Sequence, residues 1–154
     1  MSRSSRSAVV ALLALAVVPW VVQFNTPGDL TAVMLWGLLN TDPWNVLLLP
    51  AYLAQTQGLP TLPWSLQVWP LGLVFHAGAV VSAASGVVYD REDVRVTAGL
   101  LVLAGIDSVL VWWGLLGRGT QGAIPVGVVA IGIVCWWFYV PLLGVSGVDD
   151  RRTE

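Results

Sequence analysis

Two apolar runs, residues 64–89 and 96–116, are joined by the charged loop Asp90-Arg91-Glu92-Asp93-Val94-Arg95. No other feature limits the fold so strongly. About 20 apolar residues cross a hydrocarbon core of about 30 Å, and in lipid a helix satisfies its own backbone groups. The pair is therefore predicted to be a helical hairpin in a membrane. Each run carries one ionisable residue near its middle. His76 is the only histidine in the chain, and Asp107 is the only acid outside a loop or tail. A hairpin turning at Arg91 and Glu92 is predicted to bring the two level.

Composition supports the same class. Only 10% of residues are charged and the mean hydropathy is +0.78, whereas a soluble domain has about 25% charged residues. The chain of 154 residues has room for one bundle, and a single membrane domain over 1–154 is expected. With a net charge of −2 and no basic stripe, a nucleic-acid partner is excluded. The single Cys135 makes no intrachain disulfide and is expected to pack as a small hydrophobe.

The expected fold is an all-α membrane protein with four transmembrane helices, at about 8–24, 64–89, 96–116 and 123–144. A short helical segment, 30–57, is expected on the outer face between the first and second. Within it, Thr41 or Asp42 looks like a helix cap with Pro43 at the first helical position. Four spans put Arg3, Arg6, Arg91, Arg95, Arg151 and Arg152 on one side and Arg118 on the other. That split predicts a multi-pass protein of the cell membrane with both termini cytoplasmic. Most tryptophans, Trp20, Trp36, Trp44, Trp64, Trp69, Trp112 and Trp113 among them, then lie toward the outer face. They form either an aromatic belt or a pocket for a lipid or apolar ligand.

His76 and Asp107 are the candidate site. Helical spacing puts Gly72, Ala79, Ala83 and Gly86 on the face of His76, and small residues let helices approach closely. Leu100, Ala104 and Gly114 share the face of Asp107, with Ser108 adjacent. An Asp at a helix centre costs roughly 2.5–3.5 kcal/mol to insert, while an interhelical polar contact returns about 0.6 kcal/mol. Three readings stand: a structural polar pair that fixes helix register, a midplane relay for protons or ions, and two residues that never meet.

Other chemistry is missing from the sequence. One His and one Cys cannot build a zinc site, and neither a Gly-x-Ser-x-Gly elbow nor a phosphate-binding glycine loop occurs. No catalytic residue, metal or cofactor is expected.

Several stretches carry a resemblance: Trp36-Gly37-Leu38-Leu39-Asn40-Thr41-Asp42-Pro43-Trp44, Leu49-Pro50-Ala51-Tyr52-Leu53, Trp69-Pro70-Leu71-Gly72, Val94 to Gly105, and Trp136-Trp137-Phe138-Tyr139. Together they resemble a family of small, uncharacterised haloarchaeal multi-pass membrane proteins. The resemblance implies a membrane location and a salt-adapted host, and transfers no catalytic residue. The expected role is structural or accessory, within the lipid bilayer, with a membrane-protein partner or as a homo-oligomer. The alternative is a small proton- or ion-coupled transporter using His76 and Asp107; an enzyme is not expected.

Overall fold

Short apolar stretches of four or five residues, each interrupted by a turn, occupy the chain between Val21 and Leu48, and they are strands. The computed structural model describes residues 3–25, 28–89, 93–116 and 121–141. Helix α1 (Arg3–Leu15) leads into β1 (Val21–Phe24), β2 (Leu30–Met34), β3 (Gly37–Thr41) and β4 (Trp44–Leu48). Then come α2 (Leu49–Gln55), α3 (Trp64–Gln67), α4 (Trp69–Tyr89), α5 (Val94–Leu116), β5 (Gly122–Ile124) and α6 (Val126–Val134). A π-helical turn over Cys135–Tyr139 continues α6.

The five strands form one antiparallel sheet in the order β4-β3-β2-β1-β5. The all-α expectation is thereby corrected. Residues 21–24, assigned to the first span, are a strand. Of the 30–57 segment only Leu49–Gln55 is α-helical, and Asp42-Pro43 turns the β3–β4 hairpin where a helix start was expected. Pairing explains the preference. Cross-strand partners share a face of the sheet, and register aligns Ala123, Gln23, Thr31, Asn40 and Asn45 in one row. The adjacent row, Ile124, Val22, Ala32, Leu39 and Val46, lies on the opposite face and is wholly apolar. Period-two alternation of this kind suits a strand; wound as a helix, the same residues would bring no two of these polar groups together.

The four-helix expectation also changes. Among the described residues two helices, Trp64–Tyr89 and Val94–Leu116, are long and apolar enough to cross a membrane, while Arg6–Leu15 and Val126–Tyr139 are shorter. The long pair form an antiparallel hairpin, α1 packs on α4, α6 packs on α5, and α1 meets α6. The last expected span begins as β5 and becomes helical at Val126; positions 142–144 lie outside the described residues. At the other end of the hairpin Asp93 caps α5, its Oδ1 accepting from the N–H groups of Arg95 and Val96 at 3.0 and 3.2 Å, as N-cap aspartates do.

Three indole N–H groups fasten sheet to helices. Trp69 at the start of α4 donates to the Met34 carbonyl (3.0 Å), Trp112 of α5 to Ala123 (2.8 Å), and Trp36 to Ala16 beyond α1 (2.9 Å). Leaving a buried carbonyl without its donor costs roughly 1–3 kcal/mol. Trp69→Phe, which keeps an aromatic ring but loses the N–H, is therefore expected to destabilise by about that amount. Thermal unfolding in detergent, followed by circular dichroism, reads this as a lowered midpoint. An unchanged midpoint would mean that the bond does not hold the sheet.

Candidate functional site

The buried seam of α4 is Trp69, Gly72, His76, Ala79, Ala83 and Gly86, spaced alternately by three and four residues. This is the small-residue face expected around His76. Its counterpart on α5 is Thr97, Ala98, Leu101, Ala104, Asp107, Ser108, Val111 and Leu115. Ala104 and Asp107 are buried as expected, while Leu101 is fully buried and Leu100 only partly so, its side chain lying against Gly78 of α4. His76, Asp107 and Ser108 are thus all in the protein interior.

The register between the helices differs from the loop-centred prediction. Ser82 and Thr97 share a 2.7 Å hydroxyl hydrogen bond. Asp107 Oδ2 lies against the position a Gly72 side chain would take, and Ser65 of α3 lies likewise against Gly114. Each of these pairs adds to 179, whereas folding about Arg91 and Glu92 requires 183. Asp107 is therefore level with Gly72, and His76 lies four residues further along α4, roughly 6 Å away along the axis. Side-chain packing, not the midpoint of the loop, sets the register: the glycine falls where the carboxyl and an indole need room.

The two candidate residues consequently face different neighbours. The imidazole turns toward α1, where the Leu12 backbone lies opposite it but outside hydrogen-bond geometry. The Asp107 carboxyl turns toward the Gly72 backbone. No hydrogen bond or ion pair joins His76 to Asp107; both imidazole nitrogens, Asp107 Oδ2 and Ser108 Oγ are buried without a hydrogen-bond partner. Such groups are rare, because each costs roughly 1–3 kcal/mol unless something satisfies it.

Trp20 completes the site, although its place in the sequence suggests an interfacial anchor. It is 1% exposed. The far edge of its indole meets the Gly72 position, and its Cα and Cδ1 lie 2.8 and 3.1 Å from a Cβ built on Gly127 of α6, with Ser108 Oγ also 3.1 Å from that point. A residue that follows a Pro at the end of an apolar run carries no signal of this. Gly127 of α6 lies at this close approach, whereas Ala123, four residues before it, belongs to strand β5. Cys135 is half-buried against the core, as expected. Among the described residues no cluster of His, Cys, Asp or Glu could hold a metal ion.

Glycine substitutions separate this site from the rest of the hairpin. Gly72→Ala is expected to cost about 1–3 kcal/mol by overpacking against Trp20 and Asp107. Gly99→Ala, where nothing lies within 4 Å, is expected to gain up to about 1 kcal/mol from helix propensity. Paired unfolding curves check the opposite signs. Equal shifts would show that Gly72 does not make room for the indole.

A family model described as a domain of unknown function, DUF8050, matches residues 1–147 of the chain. No curated protein matches, and neither does any solved structure.

Proposed function

The chain belongs to the DUF8050 family, and from that premise we propose a multi-pass integral protein of the cell membrane with a structural or accessory role and no catalysis of its own. One observation carries this reading. The outward faces of the helices are apolar where a soluble protein is polar. Val74, Val81 and Val88 of α4, Val102, Ile106 and Trp113 of α5, and Val129, Ile133, Trp136 and Trp137 of α6 and its continuation are each more than half exposed. Soluble monomers rarely present contiguous apolar patches beyond a few hundred Å², and a helix apolar all round belongs in a core or a bilayer. Lipid is the solvent that fits. The resemblance to haloarchaeal membrane proteins supports the same location. A membrane-protein partner or a second copy of the chain is the expected company, and the exposed apolar sheet residues Trp44, Val46 and Leu48 suit a position at the membrane surface.

Orientation follows from arginine. Arg6, Ala84, Val87 and Val88 line one surface groove, so the start of α1 and the end of α4 share an end of the molecule. By sequence that end also carries Arg91 and Arg95. We assign it, with both chain termini, to the cytoplasm. Single cysteines at Ser2→Cys and Asn45→Cys, on a Cys135→Ser background, test this with an impermeant maleimide. Asn45→Cys is expected to label in intact cells and Ser2→Cys only after lysis. Labelling of Ser2→Cys from outside would reverse the assignment.

The unpartnered atoms of His76, Asp107 and Ser108 favour a second reading, passage of protons or small ions through the bundle. Intramembrane ionisable residues commonly mark such pathways. Asp107→Asn is expected to abolish pH-driven flux into vesicles while leaving the fold intact, since an amide does not titrate near neutral pH. A wild-type protein that carries no flux, or a variant that keeps it, would leave the structural role alone.

A further inference from the structure

Beneath the sheet lies a partly enclosed cavity of about 250 Å³. One wall is the polar row Gln23, Thr31 and Asn40, from three adjacent strands. The opposite wall is apolar: Tyr52 of α2, Leu66 of α3, Trp69 of α4 and Leu115 of α5. The Tyr52 and Trp69 rings stand 5.6 Å apart at 58°, a tilted aromatic corner. No charged side chain is among the residues lining it.

The polar wall has a direction. Asn25 Nδ2 donates to Asp29 Oδ2 (3.0 Å) and to Thr31 Oγ1 (2.9 Å). A carboxylate only accepts, so Asp29 obliges Asn25 to present its amino group there. Asn25 Oδ1 then accepts from Gln23 Nε2 at 2.7 Å. Thr31, having accepted, donates to Asn40 Oδ1 at 2.8 Å. At the ends of this chain of bonds two groups make no bond at all: the Gln23 carbonyl oxygen, an acceptor, and the Asn40 amino group, a donor; the Gln23 amino group keeps one further N–H. Neither of the two unbonded groups is closed off from the surface. A cavity with an apolar body and a few fixed polar groups is the usual form of a small-molecule site.

We infer that this cavity binds a small uncharged amphiphile, with a hydroxyl or carboxamide head between Gln23 and Asn40 and an apolar body against Trp69, Tyr52 and Leu115. A hydroxyl both donates and accepts, so it can pair with the Gln23 carbonyl or with the Asn40 amino group, and a carboxamide can do the same. A carboxylate head would offer nothing to the Gln23 carbonyl, and an ammonium nothing to the Asn40 amino group. Either would also enter an uncharged cavity at the cost of its hydration. The volume, below the roughly 300 Å³ of the smallest drug-sized pockets, admits a short-chain molecule and not a whole phospholipid. This site is separate from the His76 and Asp107 constellation and stands whether or not that constellation moves protons.

The test uses the full chain in lipid nanodiscs and a diazirine-bearing octanol as photolabel, with adducts mapped by mass spectrometry. Adducts are expected on peptides holding Tyr52, Trp69 or Leu115. Excess octanol should compete them away, and octanoate or octylammonium should not. Asn40→Leu should raise the half-maximal labelling concentration about tenfold, the effect of one or two lost hydrogen bonds. Leu115→Trp and, independently, Val33→Phe fill the cavity and should remove the saturable adducts. Labelling of wild-type protein that is spread over the exposed faces of α4 to α6, with none that octanol saturates, overturns the site without recourse to any variant and its folding. Competition by octanoate equal to that by octanol overturns the uncharged class.

Discussion

Everything in this fold meets at Trp20. Its N–H donates to the Val33 carbonyl at 2.7 Å and its carbonyl accepts from Gly127 at 2.9 Å, so its backbone is held by both the sheet and the start of α6. Its indole reaches across to Gly72 of α4, beside Asp107 of α5. One side chain thus bridges three helices, and it fits because two of them present glycine. A close-packed interior transmits any change of volume. The distance between α4 and α6, the height of the sheet and the place of the Asp107 carboxyl are therefore set together.

The sheet and the bundle solve the same problem differently. Each helix satisfies its own backbone and needs neighbours only for its side chains. The strands need each other, and their flanks need cover. On the bundle side they gain it from Tyr52, Leu66 and Trp69, and from the indole bonds of Trp69, Trp112 and Trp36. The row Gln23, Thr31 and Asn40 would be costly against a dry wall. It is tolerable because Asn25, held in turn by Asp29, bonds to Gln23 and Thr31, and the cavity leaves room above the row.

The parts of this arrangement visible in the sequence are those that depend on long-range pattern. The hairpin is legible because α4 and α5 are long, and the inner face of α4 because Gly72, Ala79, Ala83 and Gly86 repeat at helical spacing around His76. The sheet is not, since runs such as Val21–Phe24 are too short for periodicity to separate strand from helix. Its signal is the polar residue in each run, Gln23, Thr31, Asn40 and Asn45, which has meaning only once pairing aligns them. The candidate residues are buried where expected, but their offset by one turn depends on Trp20 and Gly72. Local sequence around the loop carries no trace of that. Trp20 itself follows Pro19 in a position that suits a lipid headgroup as well as a core.

Strand order has a consequence for how the chain can be made. Strands β1 to β4 lie in one stretch and can zip together as soon as they leave the ribosome. Strand β5, which pairs with β1 through Val22 and Ile124, emerges only after both long helices. Sequence-distant contacts form slowly because a long loop must first be closed, and here the loop being closed is the hairpin itself. Until α5 has doubled back, β1 keeps a bare edge of backbone donors and acceptors. Closure of the hairpin and sealing of that edge are then a single event in biogenesis, and a chain stalled before Gly122 would carry an open strand ready to pair with another copy.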